Sequence, residues 1–114
     1  MVRIYHNNRC SKSRATLALL EERGSKVEVI NYLGTPPNAS ELAVLLKQLG
    51  MTPRELLRSG EAEYQSLGLG DPALDDATLI AAMVAHPKLI ERPIVVANGK
   101  AALGRPPEAV LAIL

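Results

Sequence analysis

Asn98 and Gly99 stand between two short apolar runs, residues 94–96 and residues 101–103. An Asn-Gly pair in this position is the strongest short-range signal for a two-residue hairpin of type I′, because both turn residues must take positive φ. The last third of the chain is therefore expected to form two antiparallel strands. No other feature restricts the fold as strongly, since it requires a sheet with antiparallel pairing.

The first third of the chain predicts a different kind of pairing. Residues 2–5 are an apolar run suited to a buried strand, and residues 16–23 repeat apolar side chains at helical spacing up to Gly24. Residues 27–32 then alternate apolar and polar side chains, which is typical of a strand. Strand, helix and strand in this order give parallel strands joined by a right-handed connection.

The middle of the chain, from about residue 40 to residue 86, is predicted to be a helical insert. Thr52-Pro53-Arg54-Glu55 has the pattern of a capping box with proline at the first helical position. We expect a helix capped by Ser40, a short helix from Thr52 that stops at Gly60, another at residues 61–67, one capped by Asp75 or Asp76, and a C-terminal helix from Pro107.

These elements follow the order β-α-β, helical insert, β-β-α. With 114 residues the chain is long enough for one domain and too short for two, so we expect a single domain over residues 1–114. The fold class is α/β or α+β: a four-stranded mixed sheet with helices packed on it.

Composition excludes several classes of function. The hydrophobic fraction is 47%, and no apolar run approaches the roughly 18 residues of a membrane span, so we expect no membrane contact. A net charge of +1, with no Phe or Trp and three Tyr, predicts no nucleic-acid partner. No metal site is expected, because Cys10 has only His6 and His86 to join it.

The compartment follows from the cysteine count and from the N-terminus. One cysteine excludes an internal disulfide, and the chain begins with a strand rather than a signal peptide. We therefore expect a cytoplasmic protein, and a monomer.

Cys10 lies where the first strand meets the first helix. A cysteine at that junction faces unpaired backbone N–H groups and the positive end of the helix dipole, and both favour the thiolate. Arg9, Lys12 and Arg14 surround it, with no acidic residue before Glu21. Each of these cations opposes the dipole by about 0.3 to 1 kcal/mol, which indicates that an anion, either the thiolate or a bound oxyanion, compensates.

Other interpretations of this segment stay open. Cys10 would be inert if it were a buried structural residue beside solvated cations. Lys12 and Arg14 are alternative ligands for an anion. His6 either tunes the Cys10 thiol or only packs at the end of the first strand.

The hairpin register places two arginines opposite each other. If Asn98 and Gly99 form the turn, the count pairs Arg92 with Arg105. Like charges at paired positions are destabilising unless an anion lies between them, and guanidinium groups suit bidentate oxyanion binding. The alternative is that the register ends with the hairpin and both are solvated strand-end residues. Arg58, taken alone, is explained by dipole complementarity in a last helical turn.

The single cysteine also limits redox chemistry. Reduction through a disulfide needs a second thiol, and Cys10 has none within the chain. Any redox cycle at Cys10 must use an external thiol, such as glutathione or a redoxin.

Six motifs in order resemble the glutaredoxin-dependent arsenate reductase family, and the resemblance runs from Met1 to Leu114. They are Ile4-Tyr5-His6-Asn7 before Cys10, Ser13-Arg14 after it, Leu56-Leu57-Arg58, His86-Pro87, Glu91-Arg92-Pro93-Ile94-Val95-Val96 and Gly104-Arg105-Pro106-Pro107-Glu108. Asn8 departs from the pattern, since the family commonly has proline there.

The resemblance implies a thioredoxin-like fold, the fold of glutaredoxins, with a cis proline at Pro93 before the third strand. It makes Cys10 the catalytic thiolate, and Arg58, Arg92 and Arg105 the oxyanion-binding residues. It adds supporting residues: His6, Ser13, Arg14 and Pro93. No cofactor would be bound.

The reaction that the resemblance implies is reduction of arsenate to arsenite in the service of arsenic detoxification. The Cys10 thiolate attacks arsenate, glutathione attacks the adduct, and glutaredoxin completes the reduction. Arsenate or a similar oxyanion, glutathione and glutaredoxin are thus the expected partners.

Three other classes of protein share parts of this pattern. Phosphatase-like reductases need arginine where the chain has Thr16, and a two-cysteine redoxin needs cysteine at Ser13. The alternative that stays open is a protein of the same fold with another physiological role. It would act on another oxyanion or thiol substrate, or would be a redox or transcription-related binding protein, such as a regulator that binds RNA polymerase.

Overall fold

The computed structural model describes residues 2–114. Its elements, in chain order, are β1 Val2–His6, α1 Ser11–Glu22, β2 Val27–Asn31, α2 Ala39–Leu49, α3 Pro53–Leu56, α4 Ala62–Ser66, α5 Asp76–Ala85, a 3₁₀ turn Pro87–Leu89, β3 Ile94–Ala97, β4 Lys100–Leu103 and a C-terminal 3₁₀ helix Pro107–Ile113. The chain divides into two compact units. The first contains the residues up to Thr35 together with Arg92–Leu114, and the second is Pro36–Glu91.

The first unit is built on a four-stranded mixed sheet with the strand order β2-β1-β3-β4. β1 and β2 are parallel, whereas β1 pairs with β3, and β3 with β4, in antiparallel fashion. Asn98 and Gly99 take φ values of 54° and 73°, as a type I′ turn requires. The predicted β-α-β unit, hairpin and mixed sheet are therefore confirmed.

One face of this sheet packs against α1 and the C-terminal 3₁₀ helix. Ile4 on β1 pairs with Val95 on β3, and both side chains are fully buried. Together they form a single apolar cluster, whose buried members are Val2, Ile4, Leu20, Val95, Ala97 and Val110. The C-terminal helix was predicted without a stated type; its bond from Ala109 N–H to the Pro106 carbonyl, at 3.0 Å, is a 3₁₀ pairing.

The second unit is helical, as predicted for the insert, but α2 begins differently. Asn38, not Ser40, is its N-cap: the Asn38 side chain accepts from the Glu41 N–H at 2.8 Å. The Glu41 carboxylate in turn accepts from the Asn38 N–H, at 3.1 Å. The prediction of Ser40 was wrong because only Asn38 has a glutamate three residues later to complete a capping box.

The other helix starts follow the prediction more closely. Thr52 and Glu55 form the expected capping box at α3, and Asp75 caps α5 through the Thr78 N–H. α3 ends at Leu56, however, and does not continue to Gly60. Leu57 is extended and pairs with Ile90 in an isolated β-bridge, which competes with further helical turns.

Two negative observations complete the fold. Within residues 2–114, no helix is long and apolar enough to cross a membrane. Over the same residues there is no cluster of three or more His, Cys, Asp or Glu side chains that could hold a metal ion.

Candidate active site

Cys10 is the N-cap of α1, immediately after the turn that follows β1. The turn is held by Asn7: its carbonyl accepts from the Cys10 N–H at 3.0 Å, and its Oδ1 accepts from the Arg9 N–H at 3.0 Å. Asparagine favours such turns because its side chain bonds to the backbone two residues later. The turn delivers the Cys10 sulfur to the start of the helix.

The surroundings of Cys10 favour its thiolate. Burial raises the pKa of the Cys10 thiol, since only 7% of the residue is exposed. The backbone N–H of Ser13, the Arg92 guanidinium and the backbone N–H of Lys12 stabilise the anion more strongly. The net result is a pKa below the ordinary value of a thiol, as the position at a helix start predicted.

Arg92 belongs to the C-terminal segment of the first unit, far from Cys10 in sequence. It directly precedes β3, and its side chain hydrogen-bonds the Cys10 sulfur in the thiolate form. The Arg92-Pro93 peptide is cis, as the resemblance implied, and Arg105-Pro106 is also cis. Of the cations considered for this thiol, Arg92 is therefore the one whose side chain stabilises the charge directly.

Arg105 lies next to Arg92, as the hairpin register predicted. The strand ladder ends at the Ile94 and Leu103 pair, but the Gly104 N–H still donates to the Pro93 carbonyl at 3.0 Å. Arg105 Nε then donates to the Arg92 carbonyl at 2.8 Å. The register thus continues past the ladder, contrary to the alternative in which the two arginines separate.

Gly104 allows this end of the hairpin to press against α1. A side chain at position 104 would overlap Thr16 Oγ1 and would lie 2.7 Å from Pro93 Cγ. Gly104, Thr16 and Pro93 are all buried. The absence of a Cβ at Gly104 therefore sets how closely the segment carrying Arg105 approaches the helix carrying Cys10.

His6 and Ser13 form a buried polar pair behind the thiol. Ser13 Oγ lies 2.6 Å from His6 Nδ1 and accepts from the Asn7 N–H at 3.0 Å. Burial, together with the positive charge of Arg14, lowers the pKa of His6, so the ring is neutral at pH 7. In a neutral ring with its proton on Nε2, Nδ1 can accept a hydrogen bond from the Ser13 hydroxyl. His6 thus supports the turn and Ser13, whose N–H faces the thiolate.

Arg14 braces the same turn from the exposed side. Its Nη1 donates to the Asn8 carbonyl at 2.9 Å. Lys12 contributes its backbone N–H to the thiolate, while its side chain is exposed. Neither side chain contacts Cys10 in the way that Arg92 does, which distinguishes the alternatives left open by the sequence.

Arg58 belongs to the second unit and lies beyond α3, not in its last turn. The interpretation by dipole complementarity was therefore wrong, because Leu57 has already left the helix. Arg58 N–H donates to the Leu89 carbonyl at 2.8 Å, and Arg58 Nη1 pairs with Glu91 at 2.9 Å. Its Nε is buried without a hydrogen-bond partner among residues 2–114. An oxyanion-binding role for Arg58 stays a prediction.

Sequence reasoning missed three contributors. Asn7 organises the turn before Cys10, and an asparagine three residues before the N-cap of a helix is a local signal for such a turn. The contact of Gly104 with Thr16 joins distant segments and left no local signal. Glu91 is the ionic partner of Arg58, and nothing local connects the two.

The arrangement suits attack by sulfur on an oxyanion. A thiolate at a helix N-terminus lies among backbone N–H donors, the Arg92 guanidinium stabilises it, and Arg105 is held next to Arg92 by its bond to the Arg92 carbonyl. These donors can stabilise negative charge on oxygen as a bond forms to the Cys10 sulfur. The site contains one thiol, so it can form a covalent adduct but no internal disulfide.

Known proteins share both the sequence and this architecture. The ArsC family matches residues 5–113. The chain is 60% identical to the Escherichia coli protein named "Uncharacterized protein YfgD", over 99% of this chain and 96% of that protein. It is 53% identical to a Neisseria meningitidis arsenate reductase, over 99% of this chain and 97% of the relative.

A solved structure agrees with the sequence relatives. "Arsenate reductase from Vibrio cholerae" superposes with a TM-score of 0.97 at 58% identity, covering 99% of this chain and 97% of the other. The mixed sheet with its helices is thus the predicted thioredoxin-like fold. With a family match over nearly its whole length, the chain belongs to the ArsC family.

Proposed function

We propose that this protein reduces arsenate to arsenite through the thiolate of Cys10. The single observation that carries the proposal is the stabilised Cys10 thiolate at the N-terminus of α1, with Arg92 on the sulfur and Arg105 on the Arg92 carbonyl. Relatives at 53% and 58% identity are named arsenate reductases, which supports the choice of oxyanion.

In the first step, the Cys10 thiolate attacks arsenic. An S–As bond forms, one oxygen of arsenate leaves as water after taking up protons, and arsenic stays As(V). The Ser13 and Lys12 N–H groups stabilise the thiolate before attack. Once the sulfur has bonded to arsenic, they can donate to the arsenate oxygens that then hold the negative charge. Arg92 and Arg105 bind those oxygens as charged donors.

In the second step, glutathione supplies a thiolate that bonds to arsenic and displaces a second oxygen as water. A glutaredoxin thiolate then attacks the glutathione sulfur. The disulfide that forms belongs to glutathione and glutaredoxin, and the electron pair of the broken S–As bond stays on arsenic, which becomes As(III). Water releases arsenite and regenerates Cys10. Two external thiols are needed because Cys10 is the only cysteine.

The remaining assignments follow from the same chemistry. Arg58 is proposed as a further oxyanion ligand on the family resemblance, supported by its partly buried guanidinium and by the unpartnered Nε within the described chain. Reduced thiols as co-substrates favour the cytoplasm as compartment. A monomer suffices, because Cys10, Arg92 and Arg105 come from one chain.

The test is arsenite production with glutathione, glutaredoxin and a coupling reductase. Wild type should turn over, Cys10→Ser should be inactive, and omission of glutaredoxin should stop turnover after adduct formation. Equal rates for wild type and Cys10→Ser would overturn the role of Cys10. Turnover that is independent of glutathione would retain arsenate reduction and reject the proposed reductant.

A further inference from the structure

Arg58 and Glu91 are held near each other by a short antiparallel contact in the second unit. An isolated bridge joins the two segments that carry them. The Arg58 N–H donates to the Leu89 carbonyl at 2.8 Å. The Glu91 N–H donates to the Leu56 carbonyl at 3.1 Å. Arg58 and Glu91 are therefore diagonal neighbours across the bridge, a separation that long side chains can span.

The two side chains form a partly buried ion pair. Arg58 Nη1 donates to Glu91 Oε1 at 2.9 Å, and the side chains are 22% and 27% exposed. Arg58 Nε is buried and has no hydrogen-bond partner among residues 2–114. The described chain therefore leaves part of the donor capacity of this guanidinium unused, as expected if Arg58 also serves an external acceptor.

A carboxylate at this position conflicts with the binding of a fully ionised oxyanion. An oxyanion bound to the Arg58 guanidinium would lie close to Glu91, because both would share one small planar group. The Glu91 carboxylate can only accept hydrogen bonds, and it repels a second negative charge more strongly in a partly buried site than in water. An oxyanion that keeps a proton relieves the conflict, since its O–H can donate to the carboxylate.

We propose that Glu91 is a specificity-determining residue that selects oxyanions carrying a proton. The class consists of tetrahedral oxyanions that remain protonated at neutral pH, such as hydrogen arsenate and hydrogen phosphate. Sulfate has the same shape but no proton, so the carboxylate disfavours it through like charge. This inference rests on the oxyanion-binding role proposed for Arg58, but it can be measured with anions that the protein does not reduce.

The experiment compares the dissociation constants of phosphate and sulfate, measured by isothermal titration calorimetry on the full chain. In mildly alkaline buffer both anions are divalent and tetrahedral, and hydrogen phosphate alone has a proton to donate. The ratio of the two constants reports the contribution of that proton. It also cancels changes that affect both anions alike, such as a displacement of the Arg58 side chain. Wild type should bind phosphate more tightly than sulfate.

The test variant is Glu91→Gln, which removes the negative charge and keeps the size of the side chain. Its amide can donate to sulfate, so the preference for phosphate should fall about tenfold, the lower end of the range for a hydrogen bond to a charged group because the pair is partly exposed. Glu28→Gln is the matched control. Glu28 accepts from Arg3 Nε at 2.6 Å in the first unit, and its loss should leave the ratio unchanged.

Several outcomes would overturn the selectivity. One is a wild type that prefers sulfate or binds neither anion. Another is an unchanged ratio in Glu91→Gln, and a parallel loss of both affinities there would reduce Glu91 to a positioning residue for Arg58. An equal fall in Glu28→Gln would mean a general effect of charge.

Two further measurements separate this inference from the proposed function. Arg58→Ala should weaken the binding of both anions, and unchanged affinities would place their site elsewhere and reject the role of Glu91. If the ratio falls in Glu91→Gln but wild type produces no arsenite, the selectivity stands and the proposed reaction is rejected. Arsenite production together with an unchanged ratio would reject the selectivity and retain the reaction.

Discussion

Two helices of this protein begin in opposite ways. α2 begins with a complete capping box, in which Asn38 and Glu41 satisfy each other's backbone N–H groups. α1 begins with Cys10, and no side-chain oxygen caps it among the described residues. Its first-turn N–H groups are left to stabilise a thiolate instead. The comparison shows that ordinary capping rules hold at α2 and are broken at α1, where the helix start stabilises a thiolate.

The largest effect is expected from removing the cation that stabilises the thiolate at the start of α1. Arg92→Ala should raise the pKa of Cys10 and lower kcat/KM for arsenate by about 10- to 100-fold, as for the loss of a hydrogen bond to a charged group. Thiolate absorbance against pH and steady-state kinetics measure the two effects.

Arg54→Ala is the matched control for that variant. The Arg54 guanidinium also donates to backbone carbonyls, those of Leu69 and Asp71, but it serves the second unit. Arg54→Ala should lower the free energy of unfolding and leave the pKa of Cys10 unchanged. An unaltered pKa in Arg92→Ala would contradict the assignment of the thiol's ionic partner.

The next largest effect is expected at the contact between α1 and Gly104, which follows β4. Gly104→Ala should lower the free energy of unfolding by about 1 to 3 kcal/mol, because the new methyl group overlaps Thr16 and Pro93. Oxyanion affinity should fall as well, since Arg105 must move with residue 104. Urea unfolding and sulfate titration measure these changes. Gly60→Ala, with nothing within 4 Å of the added Cβ, should be near neutral.

At the structural helix the effect should be confined to stability. Asn38→Ala removes the side chain that accepts from Glu41 N–H and should cost about 1 kcal/mol of unfolding free energy. The Cys10 pKa and arsenate turnover should match wild type. A change in either would mean that the two helix starts are not independent.

Giving α1 an ordinary cap should sharpen the contrast. Cys10→Ser places a hydroxyl at the N-cap, and we expect a gain of about 0.5 kcal/mol in unfolding free energy in mildly acidic buffer, together with loss of activity. Urea unfolding of the two proteins decides the point. A less stable serine variant would show that sulfur packing outweighs capping.

The smallest effect is the pH dependence of stability. Because the folded pKa of Cys10 is lowered, the thiolate adds stability that is complete above the unfolded pKa, about 8.5, and is lost as pH falls through the folded value. The free energy of unfolding of the wild type should therefore increase relative to that of Cys10→Ser as pH rises through this window. A difference that stays flat or narrows with rising pH would contradict the lowered pKa.

Much of the fold was predictable because its signals are local. The Asn98-Gly99 turn, the capping box at Thr52 and the β-α-β opening each depend on residues close in sequence. Asn38 was missed although its pattern, with Glu41 three residues on, was as local as that of Thr52. The end of α3 could not be predicted, because Leu57 leaves the helix to pair with Ile90, far along the chain.

The candidate site divides in the same way. The position of Cys10 at a helix start, and the juxtaposition of Arg92 with Arg105, followed from periodicity and from counting back from a turn. The turn at Asn7 and the packing of Thr16 on Gly104 did not, since each depends on the shape that neighbouring segments take after folding.

By itself, the sequence determined that a lone thiol would lie at the cationic start of a helix and that any redox cycle at this thiol must use a second thiol from outside the chain. Only the tertiary structure decided which cation meets the thiol. Lys12 and Arg14 are near in sequence, yet Arg92 stabilises the sulfur. The physical reason is that β1 pairs with β3, so the residue before β3 is brought to the residues that follow β1.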